Sequence, residues 1–230
     1  MEFLRRGNLV YIAILKNASR FYLNFFKLQL GWENINIEDI NWDDDTVFAH
    51  MSDPMDRHVK GIVQAAKPYV SIIRKLIDND EFSEILGYSI VDVHSMPLCI
   101  TLGHYAQKID WIPLDEEIQS EYLTVKFLEY HNIIVEPPVE PQRFRNSNAV
   151  ADKLLRNKIR QLIEKNKENP TLDFFYKQDI LLYNKVKSQY MKFRDDAIKK
   201  YNVPIMDYEN SKKVWKELNW KKDISWLRHE

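Results

Sequence analysis

A lysine that follows a short apolar run is the first residue of this sequence that is placed to do chemistry. Residues 9–15 (LVYIAIL) are apolar, residues 16–19 (KNAS) are small or polar, and residues 20–30 have helical periodicity. This order predicts a buried strand, a tight turn and a helix that starts at the turn. Backbone N–H groups, the positive end of a helix dipole and the Lys16 ammonium would then meet, and together they bind phosphate.

A second junction of the same kind lies at residues 50–60 (HMSDPMDRHVK). Residues 46–51 predict another buried strand, Asp53 a helix N-cap, and Pro54 the first residue of the helix. Ligands of an open parallel sheet bind at the carboxyl ends of its strands. We therefore expect the two junctions to face one crevice.

Two basic residues on this second helix could add positive charge to the crevice. Arg57 and Lys60 are three residues apart, so they share a helix face. Charge spacing alone favours a simpler interpretation, in which Arg57 pairs with Asp53 or Asp56 and binds no ligand. Both interpretations stay open at the level of the sequence.

A group-transfer reaction in this crevice would need a general base near the acceptor. The candidates are side chains at or after predicted strand ends: His50, His94, His104, Glu116 and Glu117. A histidine at a strand end also serves often as a structural hydrogen-bonding group, and that interpretation stays open. Neither H-x-H nor H-x-x-x-H occurs, so we predict no metal site.

The remaining elements would hold these junctions in place. Predicted strands and helices alternate, which is typical of a parallel sheet with helices packed on it. The further predicted strands are residues 88–93 and 109–114, and the predicted helices are residues 20–30, 53–77, 120–130, 149–165 and 178–201. Residues 136–141 (EPPVEP) predict a spacer or surface loop. The predicted fold class is α/β, with a short parallel sheet flanked by helices and a C-terminal helical extension.

Composition restricts the class of partner and the compartment. The 230 residues have a formal net charge of −1, so no overall basic field attracts nucleic acid or an anionic membrane. Cys99 is the single cysteine, which excludes an intramolecular disulfide and fits a reducing compartment. No run approaches the roughly 20 apolar residues that span a bilayer. We expect a cytoplasmic protein that binds neither nucleic acid nor membrane.

The C-terminal residues differ in character from the rest of the chain. We predict an α/β domain at residues 1–200 and a tail at residues 201–230. The tail is rich in tryptophan and lysine: Trp215, Trp220, Trp226, Lys212, Lys213, Lys216, Lys221 and Lys222. In the simpler interpretation the tryptophans pack on the domain and the lysines stay in water. Binding of a partner protein through the tail is the alternative.

Four segments, taken in order, resemble the motifs of the sulfotransferase superfamily. Many members have a turn similar to PKNASTS or PKTGTT after the first strand, and residues 15–21 (LKNASRF) stand there. Residues 52–60 (SDPMDRHVK) resemble the RDPxxRxxS motif, and residues 94–98 (HSMPL) resemble an H-x-x-P-Q segment. Residues 176–183 (YKQDILLY) are similar to the Y-x-x-D-x-x-L-Y helix that often closes the domain.

This resemblance implies a P-loop-like fold and a specific reaction. Members transfer a sulfuryl group from 3′-phosphoadenosine 5′-phosphosulfate (PAPS) to a hydroxyl or amine of an acceptor, such as a small molecule or glycan, without a metal. The residues implied for PAPS are those of the two junctions: Lys16, Asn17, Ala18, Ser19 and Arg20 at the 5′-phosphosulfate, and Ser52, Arg57 and Lys60 at the 3′-phosphate. Lys16 would also stabilise charge on the leaving oxygen. His94, or else His50, would be the base.

The sequence departs from the family pattern at both phosphate motifs. Arg20 and Phe21 replace two hydroxyl residues, whereas Ser52 replaces the arginine of RDP and Lys60 replaces the motif serine. Lysine does not grip phosphate bidentately as arginine does. One alternative is therefore a sulfotransferase-like binding or structural protein without catalysis. Another is a P-loop kinase, which the missing G-x-x-x-x-G-K-[ST] motif disfavours.

Overall fold

The computed structural model of the chain describes residues 1–66, 70–114, 120–135 and 150–201. These residues form an α/β fold in which helices flank a five-stranded mixed sheet. The strands are β1 (Glu2–Arg6), β2 (Leu9–Ala13), β3 (Glu33–Ile35), β4 (Thr46–Ser52) and β5 (Asp110–Leu114). The α-helices are α1 (Ser19–Leu23), α2 (Pro54–Ala66), α3 (Val70–Asp78), α4 (Phe82–Val91), α5 (Leu98–Leu102), α6 (Ser120–Tyr130), α7 (Val150–Lys165) and α8 (Pro170–Tyr201). A π-helical segment (Asn24–Gln29) continues α1, and short 3-10 helices occupy Ile37–Asp39 and Gly103–Lys108.

The sheet is mixed, so the prediction of a short parallel sheet is wrong at one edge. The strand order is β3-β1-β2-β4-β5, and β1 is antiparallel to both β2 and β3. Pairing of Arg6 with Leu9 leaves a two-residue turn in which Gly7 has a φ of 63°. A two-residue turn with glycine at its first position is a common hairpin connection. The sequence patterns do not predict β1, because its five residues include two arginines and form no apolar run.

The two predicted junction strands are present and adjacent, which confirms the centre of the predicted sheet. β2 and β4 pair in parallel, with Val10 opposite Val47, and β4 pairs in parallel with β5, with His50 opposite Ile112. All five residues of β2 are buried. The carboxyl ends of the three strands therefore lie at the same edge of the sheet.

The predicted strand at residues 88–93 is wrong, since most of this segment belongs to helix α4. The buried residues of α4 are Phe82, Ile85, Leu86 and Ser89, which follow the helical spacing of one face. Tyr88 and Val91 lie on the other face and are exposed. A short apolar run does not by itself distinguish a strand from a helix.

The predicted helix at residues 53–77 is in fact two helices, α2 and α3, and residues 67–69 between them lie outside the described residues. Its predicted start is confirmed. Asp53 caps the helix because its Oδ1 accepts a hydrogen bond from the Asp56 N–H at 2.8 Å, and Pro54 is the first helical residue.

The bounds of the other predicted helices are confirmed within a few residues, except for the first residue of α8. Residues 20–30 correspond to α1 and its π-helical continuation, and α6 has the predicted bounds. α7 ends where predicted, whereas α8 begins at Pro170, eight residues before the predicted start. The predicted spacer at residues 136–141 lies outside the described residues, and so does the tail from residue 202 onward.

Both faces of the sheet are covered by side chains from the helices. Tyr11 and Phe48 on one face pack in an aromatic cluster with Tyr22, Phe26 and Phe127. The other face carries a cluster to which α5 and α8 contribute. Its members include Val10, Ile12, Ala49, Met51, Leu98, Trp111 and Tyr183. Among the described helices, none is long and apolar enough to cross a membrane.

Candidate functional site

The turn after β2 has an unusual backbone. Lys16 has a φ of 67° and Ala18 a φ of 54°, so two residues with side chains adopt the left-handed conformation. Each such residue costs about 1 kcal/mol or more and persists only when its surroundings fix it. The Asn17 N–H donates to the Ile14 carbonyl at 3.1 Å and closes the turn. Strain of this kind is characteristic of ligand-binding loops.

Asn17 joins the turn to the end of β4. Its side-chain Oδ1 accepts hydrogen bonds from the Ser52 N–H at 3.2 Å and from the Ser52 hydroxyl at 2.6 Å. Asn17 is 1% exposed, and its Nδ2 has no hydrogen-bond acceptor among the described residues. The two strand-to-helix junctions predicted from the sequence are therefore in contact, and a buried amide donor lies between them.

Lys16 extends from the turn towards helix α2. Its Nζ donates to the Gln64 side-chain oxygen at 3.2 Å. Ser19 and Arg20 start α1 next to the turn, where Ser19 is half-buried and Arg20 is exposed. Three of the predicted phosphate residues, Lys16, Ser19 and Arg20, thus lie on or beside the strained turn.

Arg57 is buried and serves as a link between two loops. Its Nε donates to the Leu15 carbonyl at 3.2 Å and its Nη1 to the Met96 carbonyl at 2.5 Å. Burial lowers the pKa of Arg57, while the neighbouring Asp179 and Tyr176 raise it. The guanidinium predicted for the 3′-phosphate therefore binds backbone carbonyls from the first and third motif segments.

The third motif segment, residues 94–98, and Cys99 after it are held by two side chains of α8. From α8, Tyr176 donates its hydroxyl to the Ser95 carbonyl at 2.8 Å. Asp179 accepts the N–H groups of Leu98 at 2.6 Å and Cys99 at 2.8 Å, and so caps α5. The fourth motif, on α8, therefore fixes the backbone of the third.

Helix α2 packs directly on the same segment at a glycine. A Cβ added to Gly61 would lie 2.5 Å from the Ser95 Cβ and 2.7 Å from the His94 carbonyl oxygen. Both distances are shorter than van der Waals contact, so only glycine allows this approach. The position of His94 thus depends on the surface of α2.

His58, which the sequence patterns do not single out, completes the buried contacts. Its Nδ1 lies 2.5 Å from the Tyr176 hydroxyl. Burial, with the nearby charge of Arg57, lowers the pKa of His58 to about 3, so the imidazole is neutral. Because Tyr176 donates its single hydroxyl proton to Ser95, His58 Nδ1–H donates to the Tyr176 oxygen. Its neighbours in the chain are the charged residues Asp56, Arg57 and Lys60, so no sequence pattern marks His58 as buried.

His94, the first candidate base, lies at the start of this held segment. Its Nδ1 is 3.1 Å from Asp92 Oδ1, which also accepts the His94 backbone N–H at 2.8 Å. The side chain is 31% exposed. When Nδ1–H donates to a carboxylate, the lone pair of the neutral imidazole is on Nε2. In this tautomer, Nε2 can take a proton from a substrate hydroxyl or amine.

The structure separates the other candidate bases from this arrangement. His50 is 1% exposed, stacks on Tyr22 with ring centroids 3.5 Å apart, and contacts the Thr124 hydroxyl through Nε2 at 2.8 Å. His104 precedes β5 and so lies at the edge of the sheet opposite the end of β4. Glu116 and Glu117 lie outside the described residues. His94 is thus the partly exposed candidate within the held segment.

Lys60 is engaged in a three-residue ion cluster at the surface of α2. Its Nζ lies 2.5 Å from Asp56 Oδ2, and Arg160 of α7 binds Asp56 Oδ1 through Nη2 at 2.7 Å. Burial raises the pKa of Asp56, but the two cations outweigh this effect and lower it overall. Arg160 comes from a helix far along the chain, and no sequence pattern predicts its presence here.

A scan against protein-family models, a search of curated proteins and a search of solved structures found no match to this chain. Among the residues that the structure describes, no group of histidine, cysteine, aspartate and glutamate side chains could hold a metal ion. The site is therefore defined by its own geometry: a strained basic turn, a buried amide and a partly exposed histidine, assembled around α2.

Proposed function

We propose that this chain is a PAPS-dependent sulfotransferase with a P-loop-like arrangement of β2, β4 and the helices that follow them. The observation that carries the proposal is the contact between Asn17 and Ser52. It joins the two segments that resemble the phosphate motifs of that family. The contact supports the proposal because a nucleotide with two phosphate groups needs both segments in one site.

The turn offers suitable donors for a phosphosulfate group. Asn17 Nδ2 is a buried donor without a protein acceptor in the described structure, and a ligand oxygen would satisfy it. Lys16 supplies a positive charge at the same turn. A left-handed backbone turn also directs N–H groups towards a bound anion. The turn therefore supports the 5′-phosphosulfate assignment of Lys16, Asn17, Ala18, Ser19 and Arg20.

The proposed chemistry is an in-line displacement at sulfur. The acceptor oxygen or nitrogen forms a bond to sulfur while the bond from sulfur to the bridging phosphate oxygen breaks. The acceptor proton moves to His94 Nε2, and Asp92 stabilises the resulting imidazolium through Nδ1. The leaving phosphate oxygen takes the bonding electrons, and Lys16 stabilises the charge that develops there. No metal takes part in this scheme.

The alternative is a protein of the same fold class that binds a nucleotide without catalysis. One observation favours it: Arg57, predicted to bind the 3′-phosphate, is 2% exposed and donates to two carbonyls. Binding would then depend on fewer cations than in an active sulfotransferase. The two functions differ in whether PAPS is consumed in the presence of an acceptor.

Ligand-dependent thermal stability tests the shared part of both proposals. Adenosine 3′,5′-bisphosphate at about 100 times its dissociation constant should stabilise the fold by about 2.7 kcal/mol. For a chain of this size that corresponds to a rise in melting temperature of several degrees. Lys16→Ala should reduce the rise, because it removes the cation at the turn.

Lys177→Ala is the control, since Lys177 is an exposed helical lysine paired with Asp173. No rise for the native protein at millimolar bisphosphate would reject both nucleotide proposals. A rise with ATP and magnesium instead would indicate a kinase. If the bisphosphate binds, incubation with PAPS and a panel of phenols, amines and sugars separates enzyme from binding protein, since only an enzyme forms a sulfated product.

A further inference from the structure

The surface of α2 carries a row of three polar side chains at helical spacing. Asp56, Lys60 and Gln64 are four residues apart, so they lie along one face over about 12 Å. Lys16 contacts Gln64 at one end of the row, and Arg160 contacts Asp56 at the other. All three residues of the row are half-buried, whereas their neighbours Arg57, His58, Gly61 and Ile62 are buried.

Lys60 and Arg160 converge on the two oxygens of a single carboxylate. Lys60 is 41% exposed and Arg160 is 53% exposed, so solvent reaches both cations. Because both cations bind one carboxylate, they are also close enough to bind one phosphate group. The Asp56 carboxylate thus occupies the position that a bound phosphate would take between them.

We propose that Arg160 and Lys60 bind the 3′-phosphate of the nucleotide, and that Asp56 is the internal anion that this phosphate displaces. This inference rests on the proposed function. Arg160 would supply the guanidinium for this phosphate. The chain has Ser52 where the family motif has an arginine, and the Arg57 guanidinium already donates to two backbone carbonyls. A guanidinium binds phosphate through two parallel hydrogen bonds, which a lysine cannot do.

Comparison of two nucleotides by titration calorimetry isolates this contact. Adenosine 3′,5′-bisphosphate has the 3′-phosphate, whereas adenosine 5′-monophosphate lacks it. Arg160→Ala should raise the dissociation constant of the bisphosphate roughly tenfold or more. It should leave that of the monophosphate nearly unchanged. Asp56→Asn should lower the dissociation constant of the bisphosphate several-fold, because the competing charge is gone.

A second ion pair, between Lys158 of α7 and Asp78 of α3, provides matched controls. Lys158, also on α7, pairs with Asp78 at 2.6 Å and is 41% exposed, so Lys158→Ala removes an equivalent charge from outside the row. Lys158→Ala and Asp78→Asn should leave both dissociation constants unchanged. Circular dichroism of each variant checks that it is folded.

The outcomes separate this inference from the proposed function. If Lys16→Ala weakens both nucleotides but Arg160→Ala acts no differently from Lys158→Ala, the role of Arg160 is overturned and the proposed function stands. If Asp56→Asn weakens the bisphosphate, Asp56 positions the cations instead of competing with phosphate, and the displacement is overturned. If the native protein binds neither nucleotide, both proposals fail.

Discussion

Two faces of helix α2 use charged and polar residues in opposite ways. On the buried face, Arg57 and His58 bond to backbone and to Tyr176, and they fix the segment that carries His94. On the half-exposed face, Lys60 is bonded to a single carboxylate and is in contact with solvent. One helix thus separates buried groups that maintain the fold from half-exposed groups, which are those we propose to bind a ligand.

The difference follows from the cost of breaking each contact. A buried charge that loses its partner keeps its desolvation cost, so such contacts do not exchange easily. A half-exposed ion pair contributes little, because solvent replaces the lost contact. Reactive and ligand-binding charges are therefore expected on the second face and not on the first. Variants on each face test this difference. The largest change in the free energy of unfolding is expected on the buried face.

Truncation of Arg57 should destabilise the protein more than removal of any exposed cation. Arg57→Ala leaves the Leu15 and Met96 carbonyls without their donor and Asp179 without its nearby cation. We expect a loss of roughly 3–5 kcal/mol in the free energy of unfolding, measured by urea denaturation. Arg57→Lys, which keeps the charge but not the planar fork, should recover only part of it.

Arg160→Ala is the reference for this measurement, because Arg160 is exposed on α7. A similar small loss for both variants would contradict the structural role of Arg57. It would also return Arg57 to the set of residues available for a phosphate. The comparison of the two arginines thus decides which face of the helix the fold depends on.

The sequence predicts which segments form the site better than it predicts the role of each residue. Residues 16–19, 52–60, 94–98 and 176–183 are in contact in the structure, although up to about 160 residues separate them in the chain. Their hydrogen-bond partners are not predictable, because the N–H groups of a guanidinium can donate to a phosphate or to a backbone carbonyl. Only the tertiary structure decides that Arg57 faces Met96 and that Arg160 reaches Asp56.

The pH dependence of stability provides a second test of the buried face. The pKa of His58 is about 3 in the folded protein, against 6.5 for the ordinary value. As pH falls below 6.5, the unfolded chain binds a proton that the folded chain does not bind, so stability is lost towards pH 3. Between about pH 8 and pH 5 the loss from this group should be about 2 kcal/mol.

His58→Asn should remove this part of the pH dependence, because asparagine does not titrate and its amide can replace Nδ1. His104→Asn is the control, since His104 is exposed. The measurement is urea denaturation of each variant at both pH values. If His58→Asn keeps the full loss of the native protein, His58 is charged or accessible in the folded state, and the buried face is more open than the structure indicates.

The errors in the predicted fold have similar physical causes. Residues 88–93 form an apolar run that suits either a strand or a helix, and the contacts of Ile85 and Leu86 with neighbouring helices decide for α4. The sequence predicts His50 at the crevice, but Tyr22 stacks on it, and no local pattern of residues 46–51 specifies that partner. Periodicity predicts α6 correctly. It fails where contacts with residues distant in the chain determine the secondary structure or the surroundings of a side chain.

The smallest expected effect is the most informative about the half-exposed face. Lys60→Ala should change the free energy of unfolding by less than about 0.5 kcal/mol, as is usual for a helical pair at this spacing. Lys177→Ala, which removes a similar pair with Asp173, should give the same result by urea denaturation. A loss above about 1.5 kcal/mol for Lys60 alone would show that the fold needs its pairing with Asp56. Displacement of Asp56 by a phosphate would then destabilise the fold. The division between the two faces of α2 would be wrong.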